Sequence, residues 1–411
     1  MPELVRPFAA LRPTPEQAAA VAAPPYDVLN TEEARVRAKG RPNSFLHISK
    51  PEIDLPEGTD VYAQEVYDKG AENLQRLIAE GVLIREDKPC YYAYRLTMGA
   101  HSQTGVAMVA SAAAYDANDI RKHEFTRPKK EDDRVNQVKT LNAQTGPVLL
   151  AYKSSQAVKD VLDAVTAHPP VYHVTADDGV GHAVWVINDD ADIAALTKAF
   201  NSMPALYIAD GHHRSAAGSR VAKMKPETES AQYFLTVAYA DDEMRIFDYN
   251  RVIKDLNGHS AEDLLAKIGE RFDVTRADGP GKTMAKPTKA TQFGMYLDGA
   301  WYQLDLHPEY VPENDPVGRL DVSLLHANLI EPLLGVSDPR TDERIDFVGG
   351  IRGMEGLEKR VDSGEMAVAF ALFATSMADL MSVADAGEIM PPKSTWFEPK
   401  LADGLLSHVL D

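Results

Sequence analysis

The 411-residue chain holds a single cysteine, Cys90. One thiol excludes an intrachain disulfide and a cysteine-based zinc cluster. Long apolar runs are also missing: none approaches the about 18–20 residues of a membrane-spanning helix. The opening MPELVRPFAALRPTPEQ lacks the apolar segment of a signal peptide. These absences predict a soluble, cytoplasmic protein with no membrane partner. Positive charge is scarce, with 43 Lys and Arg against 62 Asp and Glu and a net charge of −19. A surface that acidic excludes a general nucleic-acid binder, which needs cation-rich faces to neutralise phosphates. No basic stripe or helix-turn-helix signal is present either. A local positive pocket for one nucleotide remains open.

What is present is ordinary for a globular protein: 44% hydrophobic and 26% charged residues. The length asks for more than one core. APPYDVLN is held extended by its prolines, and Asn30 is placed to cap the helix TEEARVRAK, which Gly40 ends. A second helical pattern runs from about Val61 to Glu80, with Val66, Leu74, Leu77 and Ile78 on one side and Gly81 as its stop. YYAYRLTM and GVAMVASAAAY read as strands. A helix starts at Pro128 and ends by Gly146-Pro147, before the strand VLLAY. Helices and strands then alternate through ALYIA and SAAGSRVAKMK. QYFLTVAYA and MRIFDYNRVI read as paired strands turning at Asp241-Asp242, and TQFGMYLDGAWYQLDL as a hairpin turning at Asp298-Gly299. RADGPGKTMAKPTKA, around Gly279 to Gly281, reads as a linker. The expected fold class is α/β (α+β), divided into residues 1–119, 120–225 and 226–411.

Four stretches carry candidate chemistry. In ALYIADGHHRSAAGSR a strand flows through Gly211 into a helix, whose free N–H groups and dipole favour an anion. His212 and His213 add donors, and Arg214 can fork onto a phosphate. The same residues would also make a solvent-facing turn capped by Asp210, while zinc lacks a second ligand at helical spacing. In the second stretch, His123-Glu124 with Arg134 downstream, Glu124 lies among cations and is placed either as a general base toward a hydroxyl or as a surface carboxylate. In PPKSTWFEPK, Lys393, Ser394 and Thr395 echo a P-loop without its glycines. Its prolines could present Lys393 and Lys400 to an anion, or the segment could pack Trp396 and Phe397 on the core. In PPYDVLN, Tyr26 and Asp27 form either a polar pocket wall or a stiff turn.

Together, APPYDVLN, FLHI, KHEFTRPKKEDDR, YIADGHHRSAA, LDVSLLHANLIEPLLG and MPPKSTWFEPKL resemble the bacterial family known as domain of unknown function 1015, from about residue 6 to 405. Ser215 departs from that family's pattern, which has an aromatic just after DGHHR. Over about residues 120–222 the order of motifs is also similar to the ParB/sulfiredoxin-like fold of archaeal free-serine kinases. That resemblance implies a ParB/sulfiredoxin-like core with additional mixed α/β subdomains. It implies that Glu124 deprotonates a substrate hydroxyl, that Gly211 to Arg214 hold the transferring phosphate, and that Asp210 caps the turn or assists Mg²⁺. His213 joins Glu124 and Asp210 as a candidate catalytic residue. Lys393, Ser394, Thr395 and Lys400 join the phosphate contacts, and Tyr26, Asp27, His123 and Arg134 the substrate contacts. The activity this implies is an ATP- or ADP-dependent, Mg²⁺-assisted kinase of free L-serine forming O-phosphoserine, or its reverse. A phosphoserine phosphatase and a non-catalytic nucleotide sensor are the alternatives, and a homodimer is left open.

Overall fold

The structure, a computed structural model, describes residues 3–277 and 284–411. The centre of the expected linker, with Gly279 and Gly281, lies outside the described residues. The fold is mixed α/β and forms two units, Met1–Met244 with Pro399–Asp411, and Arg245–Glu398.

The first unit is built on a nine-stranded sheet. Its strands run in the order Ile120–Arg121, Leu206–Asp210, Val148–Tyr152, Tyr233–Ala240, His101–Ser111, Tyr91–Met98, Gly181–Ile187 and Tyr172–Thr175, with Val5–Arg6 added beside His101–Ser111. Tyr233–Ala240 pairs parallel with Val148–Tyr152 and antiparallel with His101–Ser111. The boundaries expected at 119/120 and 225/226 therefore fall within one continuous sheet. Val148–Tyr152 is buried along its whole length, as a strand flanked on both sides and covered on both faces must be. Helices Pro128–Leu141 and His212–Met224 share a small apolar cluster that includes Val135, Ala217 and Val221. The small residues of SAAGS let the second helix lie close to the sheet: a Cβ on Gly218 would come within 2.7 Å of Phe234 Cβ.

Local signals translate directly where the partner is nearby. Asn30 accepts the Glu33 N–H at 2.9 Å and Glu33 returns the bond to Asn30 N–H, closing a capping box on helix Thr31–Ala38. The helix Gln64–Ala79 stops before Gly81, which takes a left-handed φ of 69°. Val66, Leu74 and Leu77 are buried, but Ile78 faces solvent. SAAAY leaves its strand at Ser111, which caps a short helix, Ala112–Asp116. Pro128–Leu141 ends on left-handed Asn142, before Gly146-Pro147 is reached.

The second unit carries a six-stranded, wholly antiparallel sheet. The expected hairpin at Asp298-Gly299 is there, both residues taking positive φ. The expected pairing of QYFLTVAYA with MRIFDYNRVI is not: Tyr249–Ile253 instead pairs with Ile345–Gly349 and Val368–Ala371. The acidic turn at Asp241-Asp242 precedes the passage from one unit to the next, which falls at Met244/Arg245. Among the described residues no helix is long and apolar enough to cross a membrane.

Candidate active site

The strand Leu206–Asp210 loses register against Val148–Tyr152 between Ile208 and Asp210, a bulge of the kind that re-aims a strand end beside a site. Gly211 follows with φ 96°, a conformation that a residue with a Cβ adopts only under strain. Helix His212–Met224 starts there with no side-chain cap and no acid in its first turn. Its opening N–H groups are thus arranged for an anion.

Asp210 is occupied at both oxygens. Oδ1 accepts the Gly211 N–H at 2.9 Å, and Oδ2 lies 3.2 Å from Lys400 Nζ. Burial alone would raise its pKa, but Lys400 and Arg214 outweigh burial and hold the carboxyl well below the usual range. A lysine ammonium stands where a dication would have to bind, so Asp210 fits the role of fixing the turn and not that of a Mg²⁺ ligand. Among the described residues no cluster of three His, Cys, Asp or Glu is placed to hold a metal.

Arg214 is pinned. Nη1 donates to Pro147 C=O at 2.6 Å, and Nη2 lies 3.3 Å from Asp27 Oδ2. Tyr26 lies beneath two guanidinium groups, Arg134 at 3.8 Å and Arg214 at 5.6 Å from the ring centroid. Arg134 is also bonded to Asp133 at 2.7 Å. Tyr26, Asp27, Arg134 and Arg214, residues up to nearly 190 positions apart, thus come together.

The histidines take other tasks than those expected. His212 is buried and packs edge-on against His123, ring centroids 4.5 Å apart. Its Nδ1 lies 3.5 Å from Glu124 Oε2, and burial holds its pKa far below the usual value. A neutral His212 positions Glu124 more readily than it donates charge to a phosphate. His213 Nε2 accepts the Arg127 N–H at 3.0 Å, tying the loop after Glu124 to the helix and leaving that nitrogen engaged, not available as a phosphate donor. His123 is 3% exposed, with burial pushing it down to about 4. It packs against His212 and is not among the residues lining the cavity below the turn. Glu124 itself is exposed. Ser215, where the family pattern has an aromatic, is fully buried and donates its hydroxyl to Gly211 C=O.

Below the turn lies a cavity of about 40 Å³, lined by Tyr26, Arg134, Thr145, Gly146, Arg214 and Asp403, among others. Asp403 has no counterpart in the sequence expectations. It is 2% exposed, Oδ1 has no partner, and burial pushes it up to about 7 against the opposing pull of Arg214 and Arg134. The only signal in the sequence is an acid before Gly404, whose φ is 90°.

Lys393, Ser394 and Thr395 belong to the second unit. There Arg251 donates to the Lys393 and Pro392 carbonyls at 3.0 and 3.2 Å, and the Ser394 hydroxyl is spent on Pro391 C=O at 2.7 Å. Lys393 is exposed with φ 57°.

A mixed α/β protein with an uncapped helix start at a strand–glycine–helix turn is the class these features define. The family described as Protein of unknown function (DUF1015) matches residues 5–323, and the chain belongs to it. No curated protein matches the chain. Among solved structures it is similar to a free serine kinase in complex with AMP, at 14% identity and TM-score 0.35, over 73% of this chain and 92% of that one. It is also similar to a conserved hypothetical protein from Pyrococcus furiosus, at 13% identity and TM-score 0.34, over 74% and 94% of the two chains. A third is SbnI with a C-terminal truncation from Staphylococcus aureus, at 11% identity and TM-score 0.39, over 72% and 85%.

Proposed function

We propose that the chain is a nucleotide-dependent phosphotransferase acting on a small hydroxyl compound, most concretely L-serine, with O-phosphoserine as product or, in reverse, as donor. The observation that supports this most is the uncapped helix start at Gly211, with Arg214 inside its first turn, Lys400 against Asp210 and Glu124 beside it. Phosphoryl transfer asks a protein mainly for positioning and charge neutralisation. The N–H groups of the first turn, Arg214 and Lys400 would hold phosphate oxygens. A bound ATP or ADP would supply the transferable phosphoryl group. Glu124, oriented by His212, would take the proton of the substrate hydroxyl. The cavity below Gly146 has room for a headgroup and not for a nucleoside, so it suits the acceptor. Asp210 enters as the turn's anchor, and no step is drawn through a protein-bound metal.

The test is incubation of the purified chain with L-serine, a magnesium salt and ATP or ADP. O-phosphoserine appears if the reading holds. The absence of any phosphoserine, together with no loss of phosphate from added phosphoserine, would sink it.

A further inference from the structure

Two buried polar atoms in the cavity wall lack any partner, Asp403 Oδ1 and Ser49 Oγ. Buried polar groups are nearly always satisfied, so two orphans on residues that line one small space mark a site for something polar. Glycine at 146 keeps these groups uncrowded: a Cβ there would press to a tight 3.3 Å from Asp403 Oδ1 and lie 3.6 and 3.8 Å from Arg214 Cδ and Nε. The wall carries both signs of charge. Arg134 and Arg214 both act on Asp403 electrostatically, yet each guanidinium is hydrogen-bonded elsewhere, to Asp133 and to Pro147 and Asp27. An anion alone would meet the carboxyl of Asp403, and an amine alone would meet the two guanidiniums. A zwitterion matches both.

We propose that this cavity seats the α-amino end of an amino-acid substrate, its ammonium on Asp403 and its carboxylate on Arg134, making Asp403 a specificity residue. The inference rests on the phosphotransferase reading for its substrate class, L-serine, but its own test is binding. An ammonium at Oδ1 supplies the missing partner of a buried carboxyl, and Ser49 Oγ adds an acceptor to the same space.

Calorimetry on the full chain compares L-serine with 3-hydroxypropionate, which keeps hydroxyl and carboxylate and lacks the amino group. The wild-type protein binds L-serine at least ~10-fold more tightly, and Asp403→Asn loses ~10–100-fold for L-serine and no longer discriminates, as expected for a charge-assisted bond. Gly146→Ala puts a methyl into the same space at a residue without positive φ, and weakens L-serine with its thermal melt kept. AMP binding is unchanged in both variants. Equal wild-type affinity for the two ligands, or undiminished serine binding by Asp403→Asn and Gly146→Ala, overturns the assignment. Binding through Asp403 without turnover would leave the subsite standing and defeat the phosphotransferase. Phosphoryl transfer indifferent to the amino group would do the opposite.

Discussion

Asp403 in the first unit and Asp321 in the second titrate alike and sit in different surroundings. Burial pushes each up to about 7, and each keeps one oxygen without a partner. Asp321 opens the helix Asp321–Leu325 and accepts the N–H of Thr291, a residue held at φ 67°. The other charge that acts on it is a like one, Asp379. Asp403 borders a cavity and two arginines. The contrast shows that a raised carboxyl reports burial. A ligand seat needs unfilled space and opposite charge as well.

The largest expected effect separates the two units by activity. Glu124→Gln should lower the rate of phosphoryl transfer by ~10²–10⁴-fold, the usual worth of a general base, with AMP binding kept. Asp321→Asn should leave that rate within error. Steady-state kinetics on the two variants decides it, and an active Glu124→Gln would remove the base from the proposal.

Next comes stability against pH. Each carboxyl binds its proton more tightly folded than unfolded. Its contribution is therefore full below an unfolded pKa of about 3.9 and is lost as pH rises through about 7. Neither Asn variant can titrate, so each should gain on the wild type between those limits, by up to about 4 kcal/mol. Urea melts from pH 4 to 8 measure the slope. The two variants should behave alike in the melts and unlike in serine binding. A binding defect in Asp321→Asn would erase the distinction.

Two glycines extend the test. Gly211 and Gly299 both hold positive φ, at 96° and 72°. Alanine at either should cost about 1–2 kcal/mol from left-handed strain. Only Gly211→Ala, whose new Cβ would also lie 3.4 Å from Val148 Cα, should weaken AMP binding.

The same division governs what the sequence shows. The Asn30 cap and the Asp298-Gly299 turn depend on neighbours within a few residues, and they form as expected. The Gly211 turn, Arg214, Glu124 and Tyr26 were legible as types and spacings. The partners of Tyr249–Ile253 lie about a hundred residues onward, so adjacency along the chain misled. Asp403 was invisible for the same reason: nothing near it in sequence tells that Gly146, Arg134 and Arg214 surround it. The roles of His212 and His213 turned on burial, which adjacent histidines in a motif do not reveal.

The smallest effect probes why the two carboxyls agree. Asp379 accepts within its own capping box with Ser376 and raises Asp321 only as the last of three causes, after burial and against the Thr291 bond. Asp379→Asn keeps an acceptor at that position and removes the charge. Asp321 should then titrate slightly lower, as followed by carbon-detected carboxyl shifts in NMR. Arg134→Gln should move Asp403 the other way, upward, because it removes an opposing charge. The absence of a shift in both would mean that burial alone sets the two carboxyls, and the two arginines would lose their claim to mark the cavity.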